Sequence, residues 1–347
     1  MLELVQRLVG LEWRRRGASI RQVTVAGSRV WYAEFHPRPR DLEALRAAGA
    51  RAGAPSRRPV RPPTLVLLHG LGASSTCFYP VIPFLRRAYR LVVPDLPGYG
   101  WSQPPAGREF LSFPELVDVA ERLVARVAPR GAYVAGNSMG GWIAAKLAAR
   151  RPDLVHALAL INPGGPALRA EDWVDFLRVV MAEERGAMNE WLRRMFHRPP
   201  LAVRLLAWDF QRLMRRPPVT QLMASLTAED FLSDDEMAQV KSPAVLVWGE
   251  KDRLIPDGCR AFYLKNLKGV RYEPVPDCGH CPQLECPHRT AEILLRLPGL
   301  PRRREPEVAE LLKASSAPGA ATASRRSGSR RRRPARAPAR APSPPGS

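Results

Sequence analysis

The segment Gly136-Asn137-Ser138-Met139-Gly140 carries the first residue that could do chemistry. It lies between an apolar run, Gly131–Ala135, and an Ala-rich helical stretch, Gly140–Arg150. That context puts Ser138 on a tight strand-to-helix turn. The glycines on either side let strand and helix approach, and the turn aims the hydroxyl outward near a helix N-terminus that favours developing negative charge. A hydroxyl becomes a nucleophile at neutral pH only with a base beside it. His280, in Asp277-Cys278-Gly279-His280, follows the apolar segment Val270–Val275. The C-terminal ends of strands are where open α/β sheets hold ligands. The base in turn needs an orienting carboxylate. Asp252 directly follows Ala244–Trp248 and is the expected acid, with Glu250 and Asp257 as rivals nearby. The position after His156–Ile161 could also hold an acid, but it is Asn162, which cannot serve.

A tetrahedral oxyanion needs two backbone donors. Met139 supplies one amide by its position after the serine, and the loop His69-Gly70-Leu71-Gly72 supplies the other, from Leu71. Glycine on both sides of Leu71 lets backbone come close to a substrate, so Gly70 is expected at the substrate. His69 reads as a structural loop residue bonded to neighbouring backbone. Cys278, Cys281, Cys286, His280 and His288 cluster in sequence, but no second paired set of ligands accompanies them. Structural zinc sites usually show two spaced pairs, so no metal is expected. The proposed chemistry needs no organic cofactor either.

The elements that must position these groups read as alternating strands and helices. Ile20–Phe35 alternates around Ala26-Gly27-Ser28 and predicts a β-hairpin. Residues 37–62, rich in Pro, Arg, Ala and Gly, read as a surface insertion. Thr64–Leu68 and Arg90–Val93 are short apolar runs of the buried, parallel-sheet kind. Helical spacing marks Tyr79–Arg87 and Glu115–Val127. Such alternation predicts an α/β fold: a mainly parallel sheet with helices on both faces. Between Pro166 and about Asp235 the alternation stops, and the stretch is helical and rich in Trp, Phe and Met. It reads as a helical cap inserted between strands, in which Trp173 and Phe176 are expected to bind substrate. The expected organisation is a helical segment at 1–19, a core at 20–165 and 236–300, a cap at 166–235, and a basic disordered tail at 301–347.

The 347 residues carry a net charge of +21, of which the eight arginines between Ser315 and Ser347 supply a large part. That tail has almost nothing to bury. No nucleic-acid recognition motif accompanies the charge, so no specific nucleic-acid partner is expected. The basic tail or cap, with Leu2–Trp13 as a short amphipathic helix, suits weak contact with an anionic membrane. No apolar run is long enough to span a bilayer. The odd cysteine count, five, favours reduced thiols and a cytoplasmic setting, peripheral to the membrane at most.

The motifs LLHGLGAS (67–74), DLPGYGWS (95–102), GNSMGG (136–141), GEKDRLIP (249–256) and DCGHCPQLE (277–285) resemble those of the α/β-hydrolase superfamily over roughly residues 20–300. The resemblance implies a mainly parallel eight-stranded sheet, a cap between the sixth and seventh strands, and a Ser138–Asp252–His280 triad. It implies a serine hydrolase, an esterase or lipase acting on a small apolar ester through an acyl-enzyme. Carbon–carbon bond hydrolases of ring-fission products are an alternative, although they typically place tryptophan after the base where this chain has Cys281. Cofactor-free haloperoxidase-like relatives share the triad. Relatives with an aspartate nucleophile are excluded by Ser138. A non-enzymatic binding or scaffold member of the fold usually lacks a triad residue, and none is missing here.

Overall fold

The computed structural model describes residues 2–51, 61–181, 185–300, 308 and 312. Its strands are β1 (Ser19–Val25), β2 (Ser28–Phe35), β3 (Thr64–Leu68), β4 (Arg90–Pro94), β5 (Ala132–Asn137), β6 (Val155–Ile161), β7 (Ala244–Gly249) and β8 (Arg271–Val275). They form one sheet in the order β1-β2-β4-β3-β5-β6-β7-β8. The β1–β2 and β2–β4 pairs are antiparallel, and the rest are parallel. The β1–β2 hairpin turns on Ala26 and Gly27, both at positive φ (47° and 75°), the turn geometry that matches the twist of its strands.

The helices are α1 (Leu2–Arg15), α2 (Pro39–Arg51), α3 (Ile82–Leu85), α4 (Phe113–Val127), α5 (Met139–Arg150), α6 (Ala170–Val180), α7 (Arg185–Met195), α8 (Leu201–Leu205), α9 (Ala207–Met214), α10 (Pro217–Ser225), α11 (Asp234–Gln239), α12 (Asp257–Asn266), α13 (Pro282–Glu285) and α14 (Pro287–Leu294). Side chains alternate across the central strands. Val66, Leu68, Leu158 and Leu160 join one apolar cluster with α4 and α5, while Leu65, Leu67, Ala159 and Ile161 join another with Trp13, α3 and α14. Both faces of the sheet are therefore covered, and continuous apolar strands are what such burial requires.

Some elements depart from their expected form. Residues 37–62, read as a surface insertion with no element assigned, include helix α2, whose Asp41 accepts from the Arg38 amide at 3.1 Å and pairs with Arg87 at 3.2 Å. That capping interaction and the burial of Leu45 outweigh the loop-like composition. The expected helix at Tyr79–Arg87 contracts to α3, preceded by a 3₁₀ turn at Ser75–Phe78. Packed chain also runs past residue 300, since Val308 is buried and Leu312 packs against the same cluster. The rest of the basic tail lies outside the described residues. Helices α6 to α11 fall between β6 and β7. Among the described residues no helix is long and apolar enough to cross a membrane.

Trp13 fastens α1 to the body: it is 1% exposed and meets Phe35 edge-on at 5.6 Å. Replacing it with alanine leaves a cavity that the sheet cannot fill. Trp13→Ala is expected to lower stability by about 3–5 kcal/mol, read as a reduced urea midpoint at unchanged slope. A shift within experimental error would mean that α1 is not packed on the sheet.

Candidate active site

Ser138 closes β5 and opens α5 with φ 55° and ψ −121°, a conformation that costs energy for a non-glycine residue. The close contacts around it require its glycine neighbours. A Cβ on Gly136 would meet the Gly140 carbonyl at 2.1 Å, and one on Gly140 would meet the Leu68 carbonyl at 2.1 Å. Gly70 sits against the serine, where an added Cβ would lie 3.0 Å from Ser138 Cβ. Strand, helix and the Gly70 loop are thus pressed together, and the Ser138 side chain is left half-buried at their junction.

Asp252 and His280 come from loops after β7 and β8. Asp252 Oδ2 accepts from His280 Nδ1 at 2.8 Å, and both side chains are buried, 0% and 2% exposed. A carboxylate only accepts, so Nδ1 carries the hydrogen and Nε2 is left for another partner. Three more donors complete the carboxylate: the Leu254 and Ile255 amides on Oδ1 (2.8 and 3.1 Å) and Asn162 Nδ2 on Oδ2 (2.7 Å). Asn162 also accepts from the Gly249 amide at 2.9 Å, tying β6 to β7. The residue that cannot be the acid is the one that holds it.

Asn137 draws the His280 loop to the serine. Its Nδ2 donates to the main-chain carbonyls of Ile161 and His280, each at 3.0 Å, and its Oδ1 accepts from Gln283 Nε2 at 3.0 Å. Ser138 is the next residue. The expected acid rivals take no part in these bonds: Glu250 is exposed, and Asp257 pairs with Arg260.

Glu285 is a site residue that sequence reasoning did not single out. Its carboxylate accepts from the Gly279 amide at 2.8 Å and the His197 amide at 3.3 Å, and also from the Arg198 amide. The His280 amide donates to the Met195 carbonyl at 2.7 Å, and the Arg253 amide to the Arg194 carbonyl at 3.1 Å. Residues 194–198 therefore form a strap across the His280 loop, which explains why the imidazole is so little exposed. An acidic residue five positions after the histidine was the only available signal, and sequence does not reveal main-chain partners contributed by a distant segment.

His69 behaves as a structural residue. Its Nε2 accepts from the Leu96 amide at 2.9 Å, its Nδ1 donates to the Gly70 carbonyl at 2.8 Å, and complete burial lowers its pKa. An apolar cavity opens beside Ser138. Leu71, Met139, Trp173 and Phe176 line it, together with Trp142, Leu222 and Phe231. Gly70 does not line the cavity and instead lies against the serine. No lysine, arginine or carboxylate faces the cavity among the described residues.

The cysteines differ from the expectation of five reduced thiols. Cys278 and Cys286 are joined in a disulfide, with Cα atoms 6.4 Å apart, that closes the loop bearing His280. The odd count concealed one pair, and the argument from it for a cytoplasmic setting falls away. Cys281, next to His280, is buried, and that burial pushes its thiol well above the usual range, while Cys259 is pushed up to about 12. Neither is a thiolate at neutral pH.

Residues 65–293 match the model of the alpha/beta hydrolase family. The chain belongs to that family. The eight-stranded sheet agrees with the expected fold. Among its relatives is a pimeloyl-[acyl-carrier protein] methyl ester esterase of Nitrosomonas europaea, 28% identical over 65% of this chain and 92% of that protein. Lipase 1 of Psychrobacter immobilis is 25% identical over 83% of this chain and 86% of its own length. A solved membrane phospholipase A, a bacterial virulence factor, superposes with a TM-score of 0.68 at 26% identity, covering 84% of this chain and 89% of that one.

The disulfide has a thermodynamic consequence. Closing so short a loop removes denatured-state entropy worth about 2–3 kcal/mol. The double variant Cys278→Ser/Cys286→Ser is expected to lose about that much stability in urea unfolding. An unchanged midpoint would show that the two sulfurs are not joined in solution.

Proposed function

We propose that this hydrolase is a carboxylic ester hydrolase that acts on apolar acyl esters through an acyl-enzyme on Ser138. The observation that carries the reading is the predominantly apolar cavity that begins at Ser138, Leu71 and Met139. Such a cavity accepts a hydrocarbon chain and leaves the ester carbonyl at its mouth.

In the proposed mechanism, the Ser138 hydroxyl attacks the ester carbonyl carbon while its proton passes to His280 Nε2. Asp252 holds the imidazole in the tautomer this transfer needs and stabilises the imidazolium that results. The oxyanion is met by two amides. Met139, at the first helical position, has no intrahelical acceptor for its N–H. The Leu71 amide belongs to a turn closed by the Ala73 amide on the Gly70 carbonyl at 3.2 Å, and among the described residues its N–H has no acceptor. The α5 dipole adds to both. Collapse of the intermediate breaks the C–O bond, and His280 gives its proton to the departing alkoxide. Water then repeats the sequence to release the acid and restore the serine. Every group this needs is in the chain, so the reading assigns no role to a metal or organic cofactor.

Esterase chemistry is favoured over C–C bond cleavage of ring-fission products. Those substrates carry carboxylates, and the cavity offers no cation to receive one. A non-enzymatic role is disfavoured by the energetic cost of a strained serine and of a buried aspartate–imidazole pair whose Nε2 is left free for a further partner among the described residues.

Ser138→Ala is expected to lower kcat on p-nitrophenyl butyrate by at least ~1,000-fold and to abolish fluorophosphonate labelling while the fold is retained. Residual activity near wild type would remove Ser138 from the role, and an unlabelled wild-type protein would point to a scaffold. The acyl side has its own test. Trp173 stacks on Phe176 at 5.7 Å and meets Phe231 edge-on at 5.8 Å, narrowing the cavity. Trp173→Ala is expected to move the preferred p-nitrophenyl ester toward longer acyl chains, since each newly accommodated methylene gains about 0.8 kcal/mol. An unchanged chain-length profile would place the acyl group elsewhere.

A further inference from the structure

We propose that the outer face formed by α1 and the α8–α9 region is a docking surface for anionic phospholipid bilayers. Eight large apolar side chains are exposed among the described residues, and six of them lie in two short stripes. On α1 these are Leu4 (59% exposed), Leu8 (55%) and Leu11 (55%); at α8–α9 they are Leu201 (69%), Leu205 (63%) and Trp208 (55%). The i, i+4, i+7 spacing of the first set gathers it on one side of α1, while the second set divides between α8 (Leu201, Leu205) and the start of α9 (Trp208).

Neither stripe can turn inward. The opposite side of α1 is fixed by buried Trp13, by Gly10 packed against the Trp101 indole, and by Gln6 donating to Ser74 at 3.3 Å. The inner side of α9 is fixed by Ala207, Gln211 and Met214, all buried. One groove joins the two helices, lined by Gln6 and Arg7 of α1 and by Asp209, Arg212 and Leu213 of α9. The stripes thus flank a common surface.

Charge selects the occupant. Arg7, Arg14 and Arg15 are exposed beside the α1 leucines, and Arg204, Arg212 and Arg216 beside the other stripe. The nearby carboxylate of Glu12 is engaged by Arg16 at 2.7 Å, and Asp209 also has a partner. A second copy of this chain would bring arginine-rimmed faces together, with like charges opposed across the symmetry axis. A leaflet of anionic lipid instead accepts the leucines and Trp208 at its interface and neutralises the guanidinium groups. The groove includes Ala73, which ends the turn carrying Leu71, so the docked face adjoins the proposed oxyanion loop. Docking itself does not depend on Ser138 being the nucleophile, and its test is kept separate from turnover.

The experiment is cosedimentation of the full chain with vesicles of phosphatidylcholine alone or with 30% phosphatidylglycerol. The expected result is at least tenfold stronger binding to the anionic vesicles, reduced by 0.5 M NaCl. The variants Leu8→Ser/Leu11→Ser and Leu201→Ser/Leu205→Ser are each expected to weaken that binding at least fivefold, with p-nitrophenyl butyrate turnover in solution unchanged. Arg14→Glu/Arg15→Glu, which leaves the leucines in place, is expected to do the same. Equal binding to both vesicle types overturns the proposal. So does wild-type binding by all three variants, which assigns attraction to the basic tail, or a dimer in solution that the leucine variants dissociate while no vesicle binding is seen.

Discussion

The hydrogen bond from His280 to Asp252 is the interaction around which the site is built. Both side chains are almost fully removed from water. A carboxylate without partners at that depth would cost several kcal/mol, so the surrounding chain must supply them. Two amides after Asp252, the Asn162 side chain and the imidazole together occupy its oxygens. The imidazole's orientation follows from this packing of donors. The ends of β6, β7 and β8 are joined by it, across the 28 residues that separate Asp252 from His280 in sequence.

A second constraint acts at the serine. The close approach of β5 and α5 forces Ser138 to positive φ, and the surrounding contacts leave no space for side chains at Gly136 or Gly140. Strain there is held by neighbours bonded elsewhere: the Ser138 amide to Ile161, and Asn137 to both Ile161 and the His280 loop. The same asparagine therefore supports the strained turn and aligns the loop carrying the imidazole. A small displacement of β6 would disturb both sides of the proposed proton transfer together.

What the sequence disclosed and what it hid divide along a physical line. The strand runs, the serine turn, the acid after β7 and the histidine after β8 were legible because local patterning encodes them: apolar periodicity, glycine spacing and position at strand ends. Asn162 was read only as a missing acid, because its bonds to Asp252 and Gly249 exist only after β6 and β7 pair. Glu285 was invisible for the same reason, two of its three partners lying 87 and 88 residues away on the main chain. Helix α2 was obscured by a composition rich in Ala and Arg beside Pro and Gly. The cysteine pair was hidden because an odd total says nothing about which members meet.

The strap at residues 194–198 bears on how substrate reaches the site. It is bonded to the His280 loop through Met195 and through Glu285, and to the Asp252 loop through Arg194. Moving it outward would break at least four main-chain hydrogen bonds, each worth about 0.5–1.5 kcal/mol net. Three of those bonds reach the loop that carries His280, one through Met195 and two through Glu285. A passage opened at that edge would therefore loosen the imidazole it exposes. On its outer side α6 is tied to the strap, Asp175 accepting from Arg194 Nη2 at 3.1 Å, while the wall that α6 and α10 give the cavity through Trp173, Phe176 and Leu222 is held by apolar contact. Such contact is non-directional and can yield in small steps without leaving a buried polar group unpaired. Opening the apolar wall breaks none of the hydrogen bonds that hold His280 and Asp252 together, and on the proposed reading that is the side at which the hydrocarbon end of a substrate enters.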